Sequence, residues 1–373
     1  MLETDRIEGM RTIKFENIEN FRDLGGYPCS YGETSFGMIY RSAALNFASE
    51  KDVDKIASLG IKTVLDLRDI ASSEAYPDPM KNDPRFLYFS LPVNGGGRIP
   101  TDVEDQLDSY MEMLEEPRSA RAIFKAILAC PKPLVFHCTA GKDRTGAISM
   151  VLLLLQGVPL EDVNADYMLS YPLLPKMTAE TRKHRPDIAP LMATPNLDFL
   201  PTFYERFMDR YGSLEDYFEA IGISDDDFKA LSSLLGKQET SYGAVVFREG
   251  KVLVEHMGLG HYSLPKGHVE SFDKDGKDTA RRELFEETDL TVSSFYEPFE
   301  TSIFYSPCPG VLKKVTFFAV EAEGEVKVDG KEVSAAYWLS PEDAYRTLSF
   351  DSDRMVLKNA VIFVQGLQEK ENA

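Results

Sequence analysis

One stretch of the sequence, residues 133–157, constrains the fold more than any other. It contains a short apolar run, Pro133–His137, and a longer one, Thr145–Gly157, joined by a small loop. The short run predicts a buried strand and the long run predicts a buried helix. A strand that passes through a short loop into a helix is the beginning of a βα unit, and its loop lies at a helix N-terminus.

The residues before this stretch show the same alternation of strands and helices. Ile61–Leu67 and Phe86–Leu91 read as strands, and Glu50–Leu59 and Ser119–Ala129 have helical spacing. Such alternation is typical of a mainly parallel sheet with helices on its faces. We therefore predict an α/β fold for this part of the chain.

A change of character near residue 237 divides the chain. The 373 residues suit two domains of the usual size of roughly 100–200 residues. After residue 237, β-rich runs at 241–247 and 251–255 flank Arg-Glu-Gly, which predicts a hairpin. The other elements predicted there are a helix at 277–288, strands at 314–320 and 333–339, and a closing helix at 352–366. We predict domains 1–237 and 238–373.

The chain is acidic in both parts. The formal net charge is -20, of which -11 lies in residues 1–237 and -9 in residues 238–373. An acidic surface repels nucleic-acid backbones and anionic lipids. We therefore predict no nucleic-acid partner, and any anionic substrate would have to be held by local cations or a metal ion.

The sequence predicts a location in the reducing cytoplasm. The charged start lacks an apolar signal core, and the longest mainly apolar run, Ala147–Leu155, is too short for stable membrane insertion. The four cysteines have no spacing typical of a disulfide framework or a zinc site. A reducing compartment would keep a reactive thiol free.

The loop at residues 138–144, called here the Cys138 loop, has the features of a phosphoryl-binding site. Free N–H groups and the dipole at a helix N-terminus favour an anion, and the same field favours a thiolate that can attack phosphorus. Arg144 can fold over the loop, and its planar fork suits two phosphoryl oxygens. A lone cysteine would more often be structural. The strand, the loop with Cys138 and Arg144, and the helix together favour a catalytic role for this cysteine. The residues predicted to line the phosphate cradle are Thr139, Ala140, Gly141, Lys142 and Thr145.

These residues resemble the C-x5-R signature of the protein tyrosine phosphatase superfamily. Further motifs are similar to the bacterial branch that includes mycobacterial and listerial secreted phosphatases. They lie at residues 20–27 (NFRDLGGY), 40–43 (YRSA), 64–68 (VLDLR) and 211–217 (YGSLEDY). The resemblance covers most of residues 14–236. It implies a phosphocysteine mechanism without a cofactor, on phosphotyrosine, phosphoserine, phosphoinositides or inositol phosphates.

The general acid, which must protonate the leaving oxygen, is not fixed by the sequence. Members of this branch often have an Asp after the strand that ends here at Pro92, but this chain has Asn94, and an amide supplies no such proton. Asp143, inside the loop, is the first candidate. Asp102 and Asp105, in a predicted mobile loop, are weaker ones. A substrate with a good leaving group would also accommodate a missing acid.

Several other residues have predicted structural roles. Asp66 and Asp69 are expected to form ion pairs with Arg68 or Arg22. The Pro-rich, partly helical segment 172–211 carries a basic cluster, for which a solvated helix face is favoured over a substrate lid. The cluster consists of Lys176, Arg182, Lys183, His184 and Arg185. The cysteines expected to be inert are Cys29, Cys130 and Cys308.

A second set of charged residues lies on the predicted helix at 277–288. Glu283, Glu286 and Glu287 are three or four residues apart and share one stripe of the helix. Carboxylates crowded in this way are tolerated mainly when they face solvent or bind a cation, and oxygen ligands select Mg²⁺ or Mn²⁺. Such an ion can clamp a pyrophosphate and activate water, and Arg282 could orient a carboxylate.

This helix and Gly267 resemble the Nudix box, G-x5-E-x7-R-E-U-x-E-E-x-G-U. The sequence at 262–270 (YSLPKGHVE), Trp338-Leu and residues 348–357 are similar to diadenosine-tetraphosphate and diphosphoinositol-polyphosphate hydrolases. The resemblance covers about 240–367 and implies an α/β/α sandwich. Glu332 is the best candidate for a late catalytic acid.

The chain departs from that box at three points. The spacing from Gly267 to Arg282 is one residue longer, the first Glu has Asp273 as its nearest counterpart, and Asp289 replaces the final Gly. That Gly normally takes a left-handed helix cap, which Asp tolerates less well. Aromatic residues that could stack on a base, but are more often core at strand spacing, are Phe304, Tyr305 and Tyr337.

The sequence therefore predicts a bifunctional phosphohydrolase whose substrate is a phosphorylated small molecule or a phosphoprotein. One site would cleave phosphomonoesters through cysteine, and the other would cleave a nucleoside- or inositol-linked pyrophosphate with a metal ion. Two alternatives remain open: a dual-specificity protein phosphatase with a ligand-sensing Nudix module, and a phospho-ligand scaffold with both sites weakened. The sequence does not determine the oligomeric state.

Overall fold

The computed structural model describes residues 11–93, 100–328 and 330–371, which separate into two units. The first unit runs to Lys237 and includes Ser306–Leu312, and the second contains Gln238–Tyr305 and the residues from Lys313 onward. The domain boundary between residues 237 and 238 stays a prediction. Within the described ranges, no helix has both the length and the apolarity needed to cross a membrane.

A mainly parallel sheet forms the centre of the first unit. Its strands and a separate two-stranded pair are, in chain order, β1 Arg22–Asp23, β2 Pro28–Cys29, β3 Gly32–Glu33, β4 Ile39–Ser42, β5 Thr63–Asp66, β6 Leu87–Ser90 and β7 Leu134–His137. The strand order is β1-β4-β7-β5-β6, with β1 antiparallel and the other four parallel. This confirms the predicted parallel sheet.

The helices of the first unit are α1 Glu50–Ser58, α2 Ile70–Ala75, α3 Val103–Glu115, α4 Pro117–Ala129, α5 Asp143–Leu155, α6 Leu160–Met168, α7 Pro175–His184, α8 Ala189–Met192, α9 Phe199–Tyr211, α10 Leu214–Ala220 and α11 Asp225–Leu231, with a short 3₁₀ helix at Pro79–Asn82. Ten of the 13 residues of α5 are buried, because this helix is apolar on all sides.

The segment predicted as a mobile loop around Asp102 and Asp105 is instead the start of α3, and that prediction was wrong. Asp102 caps α3 by accepting a hydrogen bond from the Asp105 N–H, at 2.8 Å.

The sheet order determines where the Cys138 loop lies. Strand β7 lies between β4 and β5, and His137 at its end is in register with Ser42 and Asp66. The loops that follow these three parallel strands therefore meet at one edge of the sheet, which is where ligands of open α/β sheets usually bind.

The second unit has a seven-stranded sheet. Its elements are β8 Lys237–Arg248, β9 Lys251–Met257, β10 Tyr262–Ser263, β11 Lys266–His268, α12 Gly276–Thr288, β12 Thr291–Cys308, β13 Val311–Glu323, β14 Val333–Leu339, α13 Pro341–Thr347 and α14 Asp351–Glu371. The predicted β8–β9 hairpin is confirmed, and Glu249 and Gly250 take positive φ at its turn. The long strand β12 was not predicted.

Alternate side chains of β8 face two different hydrophobic cores. Ala244 and Val246 pack with Leu284 of α12, whereas Val245 and Phe247 pack with residues of α13 and α14. Because successive strand residues point to opposite faces, one helix layer covers each face. The predicted α/β/α sandwich is confirmed.

Candidate active sites

The Cys138 loop leads directly from β7 into α5. Cys138 is 4% exposed, and the carbonyl of Thr139 accepts a hydrogen bond from the N–H of Ala44, at 3.0 Å. Helix α5 begins at Asp143, two residues earlier than predicted, and the residue at its N-cap position, Lys142, makes no side-chain capping bond. The first N–H groups of α5 are therefore not capped by that side chain, which is the arrangement that suits an anion.

Gly141 allows the loop to pass close to the neighbouring strand end. Its φ is +64°, and a Cβ at this position would lie 2.1 Å from the backbone oxygen of Ser42. Only a glycine satisfies both requirements without strain. The tight turn of the loop thus depends on this residue.

Arg144 lies at the first turn of α5, near an acidic residue from another loop. Its Nη1 is 3.7 Å from Oδ2 of Asp69 and, among the described residues, makes no hydrogen bond. Hydrogen bonds from Ser72 lower the pKa of Asp69, and Arg144 contributes to the same shift. A guanidinium that is held by one long ion pair and has a buried N–H group to spare can donate a hydrogen bond to a phosphoryl oxygen.

Asp143 and Lys142 have different surroundings, although they are adjacent. The carboxylate of Asp143 accepts a hydrogen bond from the hydroxyl of Tyr110, at 2.6 Å. The ammonium of Lys142 is buried, donates to the carbonyl of Met192 at 3.0 Å and lies 3.6 Å from Asp143. The Lys142 side chain is therefore engaged by protein groups, and its predicted phosphate contact would be made through its backbone N–H.

The buried Asp66 behind the loop pairs with Arg68, at 2.7 Å, as predicted. Arg68 also lies 3.1 Å from Asp78, which is 3.0 Å from Nε2 of His137. These two aspartates and the histidine have ligand atoms close enough for a metal ion. Because a guanidinium already supplies positive charge between the carboxylates, we assign this cluster a structural role.

Two further predictions concern residues near the loop. Asp69 pairs with Arg144 and not with Arg68 or Arg22, so the expected partner was wrong. Asn94, which stands where members of the related branch often have an Asp, lies outside the described residues.

A cavity of about 610 Å³ lies beside the Cys138 loop. Thr139 of the loop lines it, and the aromatic rings of Phe47 and Tyr76, 72% and 63% exposed, contribute to its wall. Three residues of α7 also line it, namely Lys176, Met177 and Glu180. This part of the basic segment is thus close to the loop, although most of its cations have other partners.

The cations of the basic cluster form separate contacts with different partners. Arg182 donates to the carbonyl of Ala193, and His184 lies 3.1 Å from Glu180. Arg185 pairs with Asp187, at 2.8 Å. The cluster therefore does not act as one anion-binding patch, and the solvated helix face describes most of it.

The second candidate site forms where β11 faces the start of α12. Gly267 lies under Glu283, because a Cβ there would be 1.9 Å from the carboxyl carbon of Glu283. Arg282 donates to Asp273 at 2.9 Å, to Glu283 at 2.7 Å and to Glu286 at 3.0 Å. The guanidinium therefore pairs with two of the three predicted metal-binding carboxylates, Glu283 and Glu286, and with Asp273.

Glu287 and Glu283 are drawn into the protein, whereas Glu286 is exposed. Burial, and then the charge of Glu255, raises the pKa of Glu287 well above its usual range. Burial also raises the pKa of Glu283, and Glu332 is close enough to add to that shift. Oε2 of Glu287 is buried and has no hydrogen bond within the described residues. A divalent cation fits such a cluster, since it prefers carboxylate oxygens and would neutralise their charge.

Glu255 was missed by the sequence analysis. It lies on β9, is 0% exposed, and acts on Glu287 from a strand that precedes it by about thirty residues. A charged residue within an otherwise apolar strand (residues 252–254 are Val, Leu and Val) was the available signal.

Further predictions for the Nudix-like region concern Asp289 and the aromatic residues. Asp289 takes the left-handed cap with φ 61°, so the replacement of Gly preserves the cap geometry. Tyr305 packs against the hydrophobic core, as favoured for these aromatic residues. Tyr337 is 45% exposed, so the favoured core position was wrong for this residue.

Replacement of Gly267 by Ala should disable the second site without unfolding it. The new Cβ would collide with the end of a flexible side chain, so Glu283 would swing away at a cost below about 1 kcal/mol. A ligand displaced by about an ångström would lower metal-dependent hydrolysis by about 100-fold. Pyrophosphate hydrolysis and thermal unfolding measure the two effects. Gly366→Ala, on a helix with open space around it, is the control and should stabilise by about 0.5–1 kcal/mol without changing activity.

The fold and the Cys138 loop define the class of phosphatases that work through a cysteine. Residues 13–237 match the family model described as the tyrosine phosphatase family, and residues 237–359 match the NUDIX domain model. The first match covers more than half of the sequence, so the chain belongs to the tyrosine phosphatase family. Its last third is a NUDIX domain, and the two together make the chain a bifunctional phosphohydrolase.

Relatives and solved structures that resemble this chain cover its two parts separately. A putative tyrosine-protein phosphatase of Cupriavidus necator is 30% identical over 231 residues, which are 57% of this chain and 84% of the relative. The triple specificity protein phosphatase PtpB of Mycobacterium tuberculosis is 25% identical over 258 residues, 55% of this chain and 92% of the relative. A C. elegans Ap4A hydrolase structure is 23% identical with a TM-score of 0.31, and covers 34% of this chain and 98% of that chain.

Proposed function

We propose that the first domain hydrolyses phosphomonoesters with Cys138 as nucleophile and Arg144 as the main phosphoryl-binding side chain. One observation carries this proposal: a cysteine begins the short loop that leads into a helix N-terminus without a side-chain cap, and the guanidinium of Arg144 there has a buried N–H group to spare. The backbone of residues 139–142 and Thr145 would surround the phosphoryl oxygens. Such N–H donors stabilise charge that develops in the transition state.

The proposed reaction has two steps. The thiolate of Cys138 attacks phosphorus, a P–S bond forms, and the P–O bond to the leaving group breaks. Asp143 gives a proton to the leaving oxygen. The Tyr110 hydroxyl helps to orient the carboxyl group of Asp143 through its hydrogen bond to that group. Water then attacks the phosphocysteine and gives its proton back to Asp143, which releases inorganic phosphate and restores the thiolate.

The role of Asp143 leads to a test based on the leaving group. An Asp143→Asn protein should lose about 100-fold or more of its activity on an alkyl phosphate, which needs a proton, and less than tenfold on a nitrophenyl phosphate, which does not. Steady-state kinetics on both esters measure the difference. Asp102→Asn is the control, since Asn caps a helix as well as Asp does, and both activities should stay unchanged. Equal losses on the two esters would exclude Asp143 as the acid.

The proposed substrates of the first site are phosphotyrosine, phosphoserine, phosphoinositides or inositol phosphates. Phe47 and Tyr76 give the neighbouring cavity an aromatic wall, and Lys176 adds a cation to it, a combination that suits a ring with a phosphate. The triple-specificity activity in the name of the mycobacterial relative supports more than one phosphoester class.

We infer that the second domain cleaves a nucleoside- or inositol-linked pyrophosphate. NUDIX domains use a divalent metal ion, and here Mg²⁺ or Mn²⁺ would be held by Glu283, Glu286 and Glu287. The ion would supply charge neutralisation for the phosphates and a more acidic water. Arg282 orients the carboxylates, Gly267 leaves room for Glu283, and Glu332 is the proposed acid.

Phosphorus NMR on a Cys138→Ser protein, with Mg²⁺ and either diadenosine tetraphosphate or an inositol pyrophosphate, tests the second site alone. Cleavage of one compound identifies its substrate class, and a chelator should stop the reaction. If neither compound is cleaved by this variant, but binding of one of them changes the phosphatase rate of the wild-type protein, the second domain is a ligand sensor.

The domains would comprise residues 1–237 and 238–373. We further propose that the protein has no nucleic-acid partner, on the basis of the distributed negative charge. We also propose a location in the reducing cytoplasm, because the four cysteines have no spacing typical of a disulfide framework.

A further inference from the structure

A buried charged network contacts the backbone of the Cys138 loop. Asp166 of α6 is 1% exposed and accepts hydrogen bonds from Nε of Arg22 at 2.8 Å and from Nη1 of Arg41 at 2.5 Å. Tyr27 donates a third hydrogen bond to the same carboxylate, at 3.0 Å. Arg22 and Asp166 are 144 positions apart, so no local sequence pattern connects them.

Asp166 is ionised despite its complete burial. Burial disfavours the carboxylate, but the charges of Arg22 and Arg41 outweigh it and lower the pKa of Asp166 to about 2. Two arginines and one aspartate leave one net positive charge behind the loop. A buried network of this kind is costly to form, and an ordinary apolar contact would stabilise the fold at least as well.

The network reaches the loop through backbone carbonyl groups. Nη2 of Arg41 donates to the carbonyl of Gly141 at 2.8 Å. Nδ2 of Asn20 donates to the carbonyls of Ala140 and Gly141, at 2.9 and 3.0 Å, and Oδ1 of Asn20 in turn accepts from Arg22, at 2.5 Å. Both arginines therefore act on the carbonyl of Gly141, Arg41 directly and Arg22 through Asn20, and Asn20 also holds the carbonyl of Ala140.

The direction of a carbonyl group fixes the direction of the adjacent N–H group. In a planar trans peptide the C=O and N–H bonds point in opposite directions. Because the carbonyls of Ala140 and Gly141 are held toward Asn20 and Arg41, the N–H groups of Gly141 and Lys142 point the opposite way. We propose that Asp166 is a positioning residue: it holds Arg22 and Arg41 so that the loop presents these N–H groups to the phosphoryl group.

This inference rests on the proposed phosphatase function, but phosphate binding can test it without turnover. Inorganic phosphate in the cradle should protect Cys138 from iodoacetamide, and mass spectrometry of the Cys138 peptide gives the protection at each phosphate concentration. In Asp166→Asn the carboxylate charge is lost and the two arginines are no longer fixed. The phosphate Kd should rise about tenfold or more, because hydrogen bonds to an anion lose their alignment.

Arg41→Lys is the second variant, and it keeps the buried charge balance. A lysine cannot bridge Asp166 and the carbonyl of Gly141 in the fixed planar geometry of arginine. The phosphate Kd should therefore rise in this variant as well, and on an aryl phosphate KM should rise with it.

Asp23→Asn is the matched control, because Asp23 is another buried carboxylate of the same unit and accepts its hydrogen bonds from Gly25 and Gly37. Its phosphate Kd should equal that of the wild type. If Asp166→Asn and Arg41→Lys unfold at lower temperature but bind phosphate as the wild type does while folded, the network is structural and the inference is overturned. Wild-type protein that binds phosphate but hydrolyses no phosphomonoester would instead refute the proposed function and leave the positioning role intact.

Discussion

A Cys138→Ser protein is expected to lose phosphomonoesterase activity by about 10⁴-fold or more while it retains metal-dependent pyrophosphate hydrolysis. The attacking group is the thiolate, and a serine hydroxyl at the same position stays protonated and is a far weaker nucleophile. Loss of a covalent nucleophile has effects of this size because the other groups of the site act only together with it. Aryl phosphate hydrolysis measures the first activity and phosphorus NMR measures the second.

Cys130→Ser is the control for this prediction. Cys130 is also buried, and burial raises the pKa of its thiol, so it has the properties of an inert cysteine. Its replacement should leave both activities near the wild-type level. Retention of phosphomonoesterase activity by Cys138→Ser would contradict the assignment of the nucleophile.

Glu287→Gln is expected to abolish metal-dependent hydrolysis and, without metal, to stabilise the protein. The carboxylate of Glu287 is buried beside Glu255, and one of its oxygens has no hydrogen bond within the described residues. Removal of this charge relieves a desolvation penalty of about 1–3 kcal/mol, but the amide is a poor ligand for a hard cation. Thermal unfolding with a chelator and pyrophosphate hydrolysis with Mg²⁺ measure the two effects.

The stabilisation by Glu287→Gln should depend on pH in a defined direction. The pKa of Glu287 is raised in the folded state above the ordinary value of 4.5, so the folded protein binds the proton more tightly than the unfolded chain does. The wild type should therefore lose stability as the pH rises above about 4.5, and the advantage of the variant should grow over the same range.

Glu286→Gln is the control for stability, because Glu286 is 57% exposed and pairs with Arg282. Its free energy of unfolding without metal should change by less than about 0.5 kcal/mol. If Glu287→Gln unfolds more readily than the wild type in the presence of a chelator, the account of a strained, cation-requiring carboxylate is wrong.

The sequence by itself determined the features that depend on neighbouring residues. The strand, loop and helix around Cys138 follow from two apolar runs with seven residues between them, and the stripe of glutamates follows from the period of α12. The hairpin at Glu249 and Gly250 is local in the same sense. In each case the spacing along the chain fixes which side chains share a face or a turn.

Only the tertiary structure decided which distant residues support those features. Asp166 reaches Arg22 and Arg41 because β1, β4 and α6 pack together. Glu255 acts on Glu287 because β9 and α12 share a hydrophobic core. The local sequence also misassigned Asp102, which looked like part of a flexible acidic loop but caps α3. A single charged residue has no periodic neighbours that would predict its partner, so its role depends on sheet order and packing across the whole domain.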